Sequence, residues 1–69
     1  SLPSSFEFEL WLKLRFGYLH YSGGWRNVIQ AEFPNDQTAY EQFFLLLDEF
    51  RREYAMGNIN SADLRRHVT

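Results

Sequence analysis

From Phe6 to Tyr18 the chain alternates strictly. Phe6, Phe8, Leu10, Leu12, Leu14, Phe16 and Tyr18 fall on even positions, and Glu7, Glu9, Trp11, Lys13, Arg15 and Gly17 lie between them. Seven apolar residues at period two are the pattern of a half-buried strand. A helical reading competes, because Ser4-x-x-Glu7 has the form of a capping box. On a helical wheel, however, the same apolar residues spread around the whole circumference and leave no polar face. The alternation therefore predicts a strand.

Ser22-Gly23-Gly24 then reads as a tight turn. Gly23 and Gly24 suit the two-residue loop of a type I′ or II′ hairpin, since both tolerate a positive φ. This register sets Tyr18 against Ile29, Phe16 against Ala31 and Leu14 against Phe33 on one face. The other face pairs Arg15 with Glu32 and Leu19 with Val28. A slip of one residue would oppose Phe16 to Gln30 or Glu32 and turn one strand over.

Pro34-Asn35-Asp36 closes the second strand and opens a helix, with Asn and Asp as N-caps and Thr38-x-x-Glu41 as a second capping box. The helix is expected to run to about Met56, where Gly57-Asn58 stops it. Tyr40, Phe43, Leu47, Phe50 and Tyr54 form its central stripe. Ala39 and Leu46 widen the stripe on one side and Phe44 on the other, to roughly 160° of arc. Ser61 is placed to cap a short last helix through Arg66. The expected fold is α+β, with an antiparallel β-hairpin followed by one long amphipathic helix on its apolar face (ββα), in a single domain covering residues 1–69.

Size sharpens this picture. A chain of 69 residues buries only about 60% of the surface its unfolded form exposes. Small domains compensate with disulfides, metals or partners. There are no cysteines, and His20 and His67 are too few to build a zinc site without them. That leaves dense packing or association, and an aromatic content of 19% serves either. The formal charge of −2 gives no global attraction to nucleic acid or anionic membrane. The opening Ser1-Leu2-Pro3-Ser4-Ser5 lacks the basic region of a signal peptide, and no apolar run approaches membrane length, so a cytoplasmic location is expected.

Catalytic chemistry finds no constellation here. His20 sits beside the turn as a rim residue, Glu7 and Glu9 read as solvated surface, and Gly23-Gly24 does not lead from a strand into a helix, as a phosphate loop must. No enzyme activity, cofactor or metal is expected. Lys13, Arg15 and Arg26, with Trp11 and Tyr21, form a modest basic and aromatic face of the kind that stacks single-stranded nucleic acid. Glu7, Glu9 and Glu32 share that face and oppose phosphate, so nucleic acid is the alternative reading. A small molecule held in an aromatic interior is a further one.

The leading expectation is a non-catalytic protein-interaction module, and a small acidic inhibitor or immunity-type partner of a basic protein is one form of it. Pro34 leaves Phe6 to Lys13 without a strand neighbour, and an uncovered apolar strand invites pairing. Phe6, Phe8, Leu10, Trp11 and Leu12, with Leu45 on the helix's far side, are therefore the candidate interface. The expected partner is a second copy adding its own strand in a homodimer, or else another protein.

Overall fold

Ser4 decides how the chain begins. In the computed structural model, which describes residues 4–68 with side chains through residue 66, the Ser4 hydroxyl accepts from the Glu7 N–H at 3.2 Å. Glu7 returns a carboxylate to the Ser4 N–H, which completes a capping box. The helix it starts, α1, spans Ser5–Phe16. It ends at Gly17, whose φ of 80° lies in the left-handed region where a side chain would be strained.

Three more helices follow: α2 over Trp25–Glu32, α3 over Asp36–Ala55 and α4 over Ser61–Val68. No strand occurs among the described residues, so the fold is all-helical and the α+β hairpin is overturned. Residues 1–3 and the His67 side chain, which entered the reading of the terminus and of metal binding, lie outside the described residues.

The strand reading of Phe6 to Tyr18 fails for a physical reason. A helix without a polar face is unstable at a surface but suited to the centre of a bundle. Helix α1 is that centre: it packs against α2, α3 and α4, whereas α4 meets only α1. Residues 5–16 also contain no β-branched side chain, and Glu, Leu, Lys and Arg are strong helix formers. Phe8 and Leu12 are buried on one side of α1 and Leu10 on the opposite side, at 100° per residue.

The second strand is overturned as well. Val28 and Ile29, three and four residues after Trp25, are buried on one face of α2. Phe33 ends α2 outside the helical region (φ −128°, ψ 83°), which the following Pro34 disfavours for it. Gly23 and Gly24 have no positive φ. Gly24 is instead the N-cap of α2, and a Cβ at Gly23 would meet the Tyr21 ring at 2.5 Å. The expected cross-strand pairs dissolve accordingly. Arg15 bonds Glu49 of α3 at 2.8 Å, Phe16 meets Phe33 edge-on at 6.0 Å, and Tyr18 faces Glu32. The Glu32 carboxylate favours the protonated hydroxyl and pushes the Tyr18 pKa above the usual tyrosine value.

The long helix stands as expected, with its cap refined. The Asn35 side chain accepts from the Thr38 N–H at 3.0 Å, so Thr38 lies inside the first turn and opens no second box. At the other end Gly57 adopts φ 78°, with Gly57 N–H bonded to Tyr54 and Asn58 N–H to Glu53. These two bonds form a Schellman stop. Asn60, rather than Ser61, caps α4 by accepting from the Ala62 and Asp63 N–H groups. Ser61 donates its hydroxyl to the Glu7 carboxylate, tying α4 to the start of α1. That bond is the main reason the Glu7 pKa lies below the usual glutamate value, helped by the Ser4 bonds and the Arg65 charge and opposed by burial.

The Cα trace measures 32 × 25 × 15 Å. A thickness of 15 Å admits two helix layers and no more, since packed helices sit about 8–10 Å apart. Phe8, Leu12, Val28, Ile29, Ala39, Leu46 and Phe50 fill the space between the layers.

Candidate functional site

The first candidate interface is divided by the fold. Phe8, Leu10 and Leu12 belong to the interior, so they are unavailable to a partner, and strand addition through this segment is overturned. Trp11 is half-buried against Phe50, at 5.5 Å between rings. Phe6 is exposed on the first turn of α1 with the Arg65 guanidinium over its ring. Leu45 is 62% exposed, isolated on the outer side of α3.

The basic face is dispersed too, because the hairpin surface that would carry it does not form. Lys13 is buried and bonds Glu9 one turn earlier at 3.0 Å. Arg15 is held by Glu49 and lies over the Trp11 ring. Arg26 lies over Trp25 on α2, and Tyr21 packs edge-on against Tyr18 in the loop between α1 and α2. His20 is exposed in that same loop. A polar cleft of about 470 Å³ between α1, α3 and α4 is rich in carboxylates. Each already has a partner: Glu49 has Arg15, Glu53 has Asn58 and Asp63 has Arg66.

The surface that stands out lies elsewhere, on one flank of α3. The apolar stripe of this helix is centred near Tyr40, Phe43, Leu47, Phe50 and Tyr54. The residues the bundle actually buries, Ala39, Leu46 and Phe50, are centred about 60° away at 100° per residue. One edge of the stripe is thereby left without cover. Tyr40 is 68% exposed and Phe44 51%, while Phe43 and Leu47 are half-buried.

These rings continue the core outward. Phe8, at the centre, contacts Trp11, Trp25, Phe43 and Phe50 with ring centroids 5.4–6.2 Å apart. Trp25 of α2 stacks on Phe43 at 4.9 Å and 17°. Phe43 meets Phe44 at 5.1 Å, and Phe44 meets Tyr40 at 5.0 Å. An unbroken file of aromatic rings therefore runs from the buried centre to solvent.

No known protein family, curated protein or solved structure matches this chain. The surface itself must carry the functional argument.

The Trp25–Phe43 stack is a ridge with a shallow groove on each side. One groove, about 630 Å³, is bounded by Arg26, Ile29, Asp36 and Tyr40. The other, about 240 Å³, is bounded by Phe8, Leu47, Phe50 and Arg51. A ridge of rings between two apolar grooves is suited to receiving side chains from another helix or loop. Among the described residues, no three His, Cys, Asp or Glu side chains gather as metal ligands, and no helix is long and apolar enough to cross a membrane.

Sequence reasoning found half of this surface. The over-wide stripe with Phe44 on its edge was visible, but Trp25 was missed because it was read as the first residue of a strand. The available signal was the spacing of Trp25, Val28 and Ile29, which puts all three on one helical face.

Proposed function

We propose that this chain is a non-catalytic protein-interaction module that engages its partner through Trp25 and the aromatic flank of α3: Tyr40, Phe43, Phe44 and Leu47. One observation carries the reading: the aromatic core continues without a break to Tyr40 and Phe44, which stand largely in water. Scattered exposed apolar residues are ordinary, but a connected aromatic patch with flanking grooves is the surface that interfaces favour. Tyr and Trp supply much of the binding energy at such patches, because large rings bury area at little entropic cost.

The test is site-specific photo-crosslinking in the producing cell. A benzophenone side chain at position 44 is expected to give a discrete protein adduct, and one at position 45 to give none. Tyr40→Asp in the position-44 protein should abolish the adduct without changing the melting temperature. Equal labelling from positions 44 and 45, or no protein adduct from 44, would overturn the proposal.

A further inference from the structure

Seven charged side chains lie on α3: Asp36, Glu41, Asp48, Glu49, Arg51, Arg52 and Glu53. Five have partners within the chain. Arg52 pairs with Asp48, Arg15 with Glu49, Gln37 with Glu41 and Asn58 with Glu53. Only Asp36 and Arg51 have none among the described residues. At 100° per residue both fall on the uncovered flank, Asp36 bounding one groove and Arg51 the other. They are separated by fifteen positions, about 22 Å of helix, with Tyr40, Phe43, Phe44 and Leu47 between them.

An apolar strip with an unpaired acid at one end and an unpaired base at the other is complementary to its own copy turned end for end. We propose that the occupant of this surface is a second copy of the chain, with α3 lying antiparallel on α3 about a two-fold axis between Phe43 and Phe44. The inference rests on the aromatic flank being the interaction surface. The antiparallel register sets Asp36 against the partner's Arg51, and two-fold symmetry makes that pair twice. It sets Tyr40 against the partner's Leu47, at the mouth of the 240 Å³ groove whose rim is Arg51. The incoming Tyr40 ring fills that groove beside the guanidinium, where a cation–π contact adds to the burial. A parallel pairing would juxtapose like charges at both ends and is disfavoured. A patch of this length lies at the small end of stable interfaces, so the dimer is expected to dissociate in the micromolar range.

Charge reversal supplies a test that misfolding cannot imitate. Asp36→Arg alone and Arg51→Asp alone each replace two attractions with two repulsions, and each should weaken self-association roughly tenfold in sedimentation equilibrium. Mixed in equal amounts, the two variants form a heterodimer in which both ends are again complementary. The mixture should therefore recover the parent affinity. A parent chain that stays monomeric at high micromolar concentration overturns the inference, as does a mixture no tighter than its components. Either result leaves the interaction surface standing if position 44 still crosslinks to a different protein. Loss of that adduct removes the surface itself.

Discussion

Phe8→Ala separates the helical bundle from any hairpin arrangement of the same sequence. In the bundle Phe8 is buried and touches four aromatic rings. Truncating such a side chain costs about 3–5 kcal/mol, and the lost ring contacts favour the upper part of that range. A 69-residue domain is stable by only about 3–10 kcal/mol in total. The variant should consequently be largely unfolded or close to it. In a hairpin, Phe8 would lie on an uncovered strand segment of the monomer, and its removal would cost well under 1 kcal/mol. Urea titration with tryptophan fluorescence is the natural assay, because Trp11 and Trp25 both contact Phe8. Tyr40→Ala is the control: that ring is exposed and should matter by less than about 0.5 kcal/mol. A loss below about 1 kcal/mol for Phe8→Ala, with unchanged denaturant dependence, would refute the central placement of α1.

Two further outcomes follow from the helix termini. Gly24 caps α2 without a side-chain hydrogen bond, in an extended conformation (φ −77°) that serine adopts freely, and a Cβ there meets only Glu9 Oε1 at an ordinary 3.7 Å. Gly24→Ser should therefore raise thermal stability, by a few tenths of a kcal/mol, whereas a hairpin needing positive φ at that site would lose stability. Ser61→Ala removes the main cause of the lowered Glu7 pKa. A depressed folded-state pKa contributes stability that is present above the unfolded value, near 4.3, and is lost as pH falls through the folded value. The variant should thus be less stable than the parent near neutral pH and converge with it in strong acid, as followed by circular dichroism. A difference that persists unchanged to low pH would exclude the Ser61–Glu7 bond as its source.

The long helix was legible because its evidence was local. Asn35, the stripe from Ala39 to Tyr54, and Gly57-Asn58 each act within a turn or two of chain, and each does in the structure much what its chemistry dictates. The first two elements were misread because their deciding evidence was not local. Alternation of Phe6 through Tyr18 is compatible with a strand or with a helix enclosed on several sides, and periodicity cannot say how many neighbours a segment will have. Two local signals nevertheless favoured the helix. Ser4 with Glu7 was a working capping box, and residues 5–16 contain no Val, Ile or Thr. The candidate surface was legible only in outline, since its position depends on which arc of α3 the other helices cover.

The same geometry accounts for both departures from a simple amphipathic pattern. Three helices pack around α1, so every side of it that meets a neighbour must be apolar, and a polar face would have prevented the arrangement. Helix α3 contacts only α1 and α2. The arc those two cover is narrower than the apolar arc that α3 carries, and the excess emerges as Tyr40, Phe43, Phe44 and Leu47. Fold stability alone gives no reason for Tyr40 and Phe44, because replacing these exposed rings with polar residues would leave the covered arc intact. Nor does it give a reason for leaving Asp36 and Arg51 without a partner among the described residues, on the same arc, while every other charged side chain on α3 has an ion-pair or hydrogen-bond partner. A third neighbour for α3 explains both features at once. It would stand to α3 as α3 stands to α1, closing the last open arc of the bundle.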